Sequence, residues 1–229
     1  TDGDYVSTND VLVAFCWLLG SELRLKAEGV ANGADLDIDN TFMFVIFEAL
    51  KNGIKIIPEN YSGNAIMNAL ALSQGNELNE KPLGEVFAKL ALLMRKTVNS
   101  IREQPPLAAQ QLLFHYVAMT SGQSASSHPL MPRMRGILTN LLKTPIDEID
   151  FGKGKPVFTL LLIIPYYTHF WTIGPGFGFD GMVVQGSLSA TEAAALKDSV
   201  IVKEFAPEVR NVHSDFSVDE LKKRMNLAA

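Results

Sequence analysis

The sequence predicts an α/β domain in which a mixed β-sheet is flanked by helices. Helical and strand-like segments are interleaved without a regular strand-helix repeat. Strand-like apolar runs also follow one another late in the chain, near 134–142, 157–164, 168–173 and 182–188. A doubly wound parallel sheet would place a helix between each pair, so a mixed sheet fits better.

The elements follow in order. Ser7, with Asp10 three residues on, resembles a capping box, and "DVLVAFCWLLGSELRLKAE" continues with helical spacing until Gly29 stops it. "VANGADLDIDN" is a polar loop. "TFMFVIFEAL", rich in aromatic and β-branched residues, reads as a buried strand. "NGIKIIPENYSGN" is an irregular connection punctuated by Gly and Pro. "AIMNALALS" fits a strand or a helix, because short apolar runs carry no decisive period. Pro82 stands in the first turn of a long helix running to about Ile101, with Val86, Leu90, Leu93 and Val98 on one side. Pro105-Pro106 ends it. "LAAQQLLFHYVAM" forms a further helix and "TSGQSASSHPLMP" a loop. Ser189 with Glu192 caps a short helix, and Ser217 with Glu220 starts a terminal one. No internal repeat or linker separates two cores. The expected organisation is one domain over residues 1–206 and a tail with a short helix over 207–229.

Composition bounds the function. The 229 residues are 47% hydrophobic, enough for one large domain. The net charge of -5 gives no basic field to draw in nucleic acid or an anionic membrane. The densest basic cluster, Lys222-Lys223-Arg224, is short and flanked by acids. The apolar run Val157 to Ile164 ends at Pro165, far short of the roughly 20 residues that span a bilayer. Cys16 is the single cysteine, so no internal disulfide forms and a reducing, cytoplasmic setting is expected. Its apolar helical context points to a buried, inert thiol. The chain opens "TDGDYVSTND", without initiator Met or signal peptide, and is expected to be part of something longer.

Several short motifs fail on context. Asp150-Phe151-Gly152 has no Gly-rich loop, strand lysine or HRD-type loop before it, as a kinase would require. Lys155 is followed by Pro156, not by the Ser or Thr that holds magnesium in a phosphate loop. Gly176, Gly178 and Gly181 spell GxGxxG, but the alternating "MVVQGSL" follows instead of a helix. That segment reads as a connection between antiparallel strands. His115, His128, His169 and His213 form no metal-ligand pair, and no GxSxG elbow exists. No metal site is expected. By itself the chain shows no self-sufficient active site.

Taken as an ordered set, the stretches resemble the C-terminal half of the plant and fungal BAHD acyltransferases. "DFGKGKP" is similar to that family's DFGWG motif with its following Lys/Arg-Pro, Lys153 replacing Trp. "TNLLKTPIDEIDFG" matches the upstream Thr-Ser-Trp stretch in spacing, with Asn140 and Leu141 replacing Ser and Trp. "PENYSGNA" resembles P-x-x-Y-F-G-N-A, with Ser62 for Phe. "YVSTNDVLVAFCW" resembles the start of the second domain, and "GPGFGFDGMVVQGSLSATEAAAL" the closing hairpin and last helix. The resemblance covers roughly residues 5 to 205.

The resemblance implies a chloramphenicol-acetyltransferase-like domain and acyl transfer from acyl-CoA to an alcohol or amine. Acyl-CoA is then a co-substrate, and no cofactor is permanently bound. The family's base is the His of HxxxD, worth about 10² to 10⁴ in rate. Residues four after each histidine here are Met119, Pro132, Ile173 and Ser217, so no catalytic residue is expected in this chain. The motif normally lies in the N-terminal half, which becomes the expected partner beside acyl-CoA and a small-molecule acceptor. Neither nucleic acid nor membrane is expected as a partner. Thr139 and Asn140 are the candidate oxyanion or acceptor contacts, since a hydroxyl or amide donor stabilises developing negative charge. Asn64 is the candidate for the acyl-CoA channel. Asp150, Phe151, Gly152 and Gly154 are expected to form a structural turn, with a partly buried Asp150 paired to Arg24 or Arg135 as the family's ion pair implies. The alternative is a non-catalytic binding or assembly domain that keeps the acyltransferase fold.

Overall fold

The computed structural model describes residues 5–29, 41–48, 66–73, 81–104, 134–142, 144, 146–155, 169–175 and 181–207. The segments around Asn64, His115, His128, Val157 to Ile164, Gly176 and Gly178, and the tail after Pro207, lie outside the described residues.

Helix α1 (Thr8–Ala27) opens on the expected box: Ser7 N donates to Asp10 Oδ2 at 2.7 Å while Asp10 N donates to Ser7 Oγ at 3.4 Å. These bonds satisfy amides that the first turn leaves without carbonyl partners. Gly29 follows the helix at φ +79°, the left-handed region that glycine adopts without steric cost. Helix α2 (Leu83–Glu103) has Pro82 as its N-cap residue, one position before the helix proper. Val86, Leu90, Met94 and Ile101 are buried, four points on one helical stripe.

The described strands are β1 (Phe42–Glu48), β2 (Ile66–Leu72), β3 (Met134–Asn140), β4 (Phe170–Pro175) and β5 (Met182–Gly186). Their order is β2-β1-β3-β4-β5. β1 runs antiparallel to β2 and parallel to β3, β3 runs parallel to β4, and β4 antiparallel to β5. The sheet is therefore mixed. The ambiguous "AIMNALALS" is a strand because every residue of β2 pairs with β1. The antiparallel pairing of β4 with β5 agrees with reading the glycine-rich stretch between them as a strand connection.

Helices α1 and α2 pack together and cover one face of this sheet. Met43, Val45, Ala69, Ala71, Leu138, Trp171 and Ile173 meet Val13, Trp17, Leu18, Leu23, Leu90 and Met94 in a single cluster. Alternation along each strand sends the intervening residues to the other face. Trp171 lies flat against its neighbours: a Cβ on Gly186 would stand 2.4 Å from the indole, and one on Gly136 2.8 Å from its Nε1. Only glycine allows that approach.

Two short helices close the described chain. α3 (Ala190–Ala195) carries the expected Ser189/Glu192 box, and α4 (Val200–Phe205) follows a 3-10 turn at Leu196–Asp198. Both contact α1. No described helix is long and apolar enough to cross a membrane.

Candidate active site

The parallel strands β1, β3 and β4 place Ile46, Thr139 and Thr172 side by side, and the antiparallel pairing to β5 adds Gln185 to the same row. This row lies on the face away from α1 and α2, because Val45, Leu138 and Trp171 occupy the helix-covered row next to it. Thr139 is half-buried. Its hydroxyl has no hydrogen-bond partner among the described residues.

Asn140 ends β3 and is held from two sides. Its Nδ2 donates to Asn9 Oδ1 at 2.8 Å, and its Oδ1 accepts from Leu142 N at 2.9 Å. The side chain thus ties the end of the central strand to the start of α1 and fixes the chain as it leaves the sheet. Leu141 N continues the ladder to Ile173 O at 2.7 Å. Of the two sequence-predicted contacts, Thr139 presents a donor unengaged among the described residues and Asn140 an engaged one. Asn64 lies outside the described residues.

The DFGKGKP turn differs from expectation in one respect. Asp150 is exposed, and its Oδ1 accepts from the backbone N–H groups of Gly152, Lys153 and Gly154 at 2.7, 3.0 and 2.9 Å. Gly152 and Gly154 stand at φ +85° and +95°, which turns those three amides inward. The expected ion pair is not formed with either arginine. Arg24 Nη1 instead donates to Met134 O, and its Nε meets Glu28 Oε1, both at 3.3 Å. Arg135 is buried, whereas Asp150 is exposed. The cause is local geometry: a carboxylate already inside a ring of amides needs no distant cation. Phe151 projects from the turn with 92% of its surface exposed, and Ile149 beside it is also exposed.

Sequence reasoning missed the pairing of His169. Held at φ +60°, it donates from Nε2 to the Glu192 carboxylate Oε1 at 2.8 Å, with both residues buried. Burial pushes the Glu192 carboxyl up, but the bonds from His169 and from Ser189 N outweigh it and hold the group down at about 2. The imidazole Nδ1 faces Gly20 of α1. His169 therefore sits between α1 and α3, on the helix-covered side, with the sheet between it and Thr139. A separation of 23 residues between the partners hides this pair from any local motif. Cys16 is fully buried, and burial pushes its thiol far above the ordinary value, consistent with an inert side chain. His115, His128 and His213 lie outside the described residues. Among the described residues no cluster of His, Cys, Asp and Glu is fit to hold a metal ion.

Comparison with known proteins adds independent findings. The profile described as "Transferase family" matches residues 23–190, well over half of the chain. The hydroxycinnamoyl-CoA:piscidic acid hydroxycinnamoyltransferase of Actaea racemosa is 28% identical over 114 residues, which is 44% of this chain and 24% of that protein. Among solved structures, F. sporotrichioides TRI101 complexed with coenzyme A and T-2 superposes with a TM-score of 0.62 at 22% identity, over 87% of this chain and 43% of that one. Vinorine synthase gives 0.56 at 15% identity, over 83% and 40%. These structural likenesses establish the fold. The chain spans less than half the length of each of these proteins.

Proposed function

The chain belongs to the Transferase family, of the BAHD acyltransferase type, and on that premise we propose that it is the C-terminal half of an acyl-CoA-dependent O- or N-acyltransferase. The observation that carries the reading is the Thr139 hydroxyl at the end of the central strand, without a hydrogen-bond partner among the described residues, beside an Asn140 that holds the strand end in place. Acyl transfer needs a donor where the thioester oxygen becomes negative, and such a donor is typically worth about 10² to 10³ in kcat.

In this reading the acceptor oxygen or nitrogen attacks the thioester carbon. A histidine of an HxxxD motif in the N-terminal half takes the acceptor's proton. Thr139 donates to the resulting oxyanion, and collapse breaks the C–S bond and expels coenzyme A as a thiolate, which takes the proton from that histidine to leave as the thiol. Asn140 acts through position, since its amide is already bonded within the protein. Asn64 belongs to the acyl-CoA channel. His169 is not the base, because its imidazole is bonded to Glu192 across the sheet from Thr139. Acyl-CoA acts as co-substrate with no permanently bound cofactor, and a cytoplasmic setting suits the single buried thiol. The exposed Phe151 and Ile149 supply apolar surface for contact with the N-terminal half.

The test is thiol release from acyl-CoA in the presence of small alcohols and amines, with this chain, its N-terminal half, and the two together. Turnover is expected only from the combination. Turnover by this chain alone, abolished by replacing one of its own histidines, would place the base here and end the split-site reading. Inactivity of the combination with intact association would favour a non-catalytic assembly domain.

A further inference from the structure

The row that carries Thr139 holds a second hydroxyl. Thr172 is paired directly with Thr139 in the parallel register of β3 and β4, so both side chains leave the same face of the sheet at the same level. Thr172 is only 3% exposed, yet among the described residues its hydroxyl makes no hydrogen bond. Its hydroxyl is not among the described side-chain atoms that are shut off from solvent without a partner, so the little surface Thr172 keeps leaves a donor open on this face. A valine would fill a β-branched strand position equally well, so packing does not require this hydroxyl. The neighbouring helix-facing row shows what packing alone selects: Val45, Leu138, Trp171 and Gly186.

Distance makes a joint role feasible. Adjacent strands stand about 4.8 Å apart. Two hydroxyls that each bond an oxygen at about 2.75 Å reach a common acceptor when their own oxygens are as much as about 5.5 Å apart. A carbonyl oxygen accepts two such bonds, and both strengthen as it becomes an oxyanion. We propose that Thr172 is a second donor which, with Thr139, holds the carbonyl oxygen of the acyl group. The proposal rests on the acyl-transfer reading and adds to it a residue from the neighbouring strand.

The experiment combines this chain with its N-terminal half and uses acetyl-CoA labelled with ¹³C at the carbonyl. Difference infrared spectra record the bound carbonyl stretch, and thiol release gives kcat and KM with whichever acceptor supports turnover. Thr139→Val and Thr172→Val are each expected to lower kcat by about 10- to 100-fold with KM changed little, as loss of a contact realised in the transition state does. Each should also move the stretch part of the way back to that of free acetyl-CoA. Thr172→Ser should restore both, and Thr172→Ala gives the same readout if the valine variant folds poorly. Wild-type kcat and stretch in Thr172→Val, with Thr139→Val impaired, would overturn the second donor and leave acyl transfer standing. A stretch displaced in the wild type and relaxed by Thr172→Val, without any thiol release, would support the donor pair while the acyl-transfer reading fails. An undisplaced stretch in the wild type would overturn the pair.

Discussion

Glu22 and Asp150 are both carboxylates that collect backbone amides, and they do so to opposite ends. Glu22, buried on α1, reaches across 177 residues to the start of α4. It accepts from the Ser199 hydroxyl, from Val200 N at 2.7 Å and from Ile201 N at 3.3 Å, with Lys26 Nζ at 2.8 Å. Asp150 is exposed and closes its own turn. One joins elements that sequence keeps apart. The other shapes a loop that would remain attached to the protein whatever its conformation. The number of hydrogen bonds is similar, so burial and range decide how much of the fold depends on each.

That contrast orders the mutational effects. Glu22→Ala should be the largest. It strands a buried serine hydroxyl, two amides at a helix start and a lysine, and loss of one member of such a buried set costs about 3–5 kcal/mol. Urea denaturation followed by far-ultraviolet circular dichroism measures it. A loss under about 1 kcal/mol would erase the distinction drawn between the two carboxylates.

Glu192 comes next and adds pH dependence. Its carboxyl lies at about 2 in the folded chain against an ordinary value of 4.5, so the unfolded chain binds the proton more readily. The stabilisation is complete above about pH 4.5 and is lost as pH falls toward 2. Glu192→Gln should therefore cost of order 1–2 kcal/mol near neutrality and progressively less below pH 4, after allowance for partial solvent screening. The Glu22 carboxyl is also held low: burial opposes its ionisation, but Lys26, Ser199 and the Val200 and Ile201 amides prevail. Its share disappears with falling pH as well, so the comparison must be between variant and wild type at each pH. A constant difference from pH 6 to pH 2.5 would exclude ionisation of Glu192 as the source.

Local signals accounted for much of the framework. Two of the three expected capping boxes, Ser7 with Asp10 and Ser189 with Glu192, form as spaced, because the bonds they make lie within one turn, while Ser217 with Glu220 lies outside the described residues. The mixed sheet was readable from the order of apolar runs. Thr139 became a candidate through its place in a resembling stretch. Thr172 did not, since no local spacing encodes the β3–β4 register that sets it beside Thr139. His169 with Glu192 and Glu22 with Ser199 were hidden for the same reason: no period or spacing encodes which distant strand or helix a side chain meets. The resemblance itself misled at Asp150. It implied a buried ion pair, whereas the glycines at 152 and 154 turn amides inward and satisfy the carboxylate locally.

Asp150→Ala is accordingly the smallest effect. Its replacement removes three bonds to Gly152, Lys153 and Gly154, but all these amides are in an exposed turn and water replaces the carboxylate. Loss of a comparable side-chain cap costs about 0.5–2 kcal/mol, and the lower half of that range applies where solvent reaches the freed groups. The turn should loosen while the sheet and helices keep their stability, so amide exchange at residues 152–154 should quicken without a matching change at β3 or α1. Asp150→Asn, which keeps an acceptor oxygen, should recover most of the protection. If Asp150→Ala instead lowered global stability as much as Glu22→Ala, the carboxylate would be holding more than its own turn, and the contrast between the short-range and the long-range carboxylate would fail.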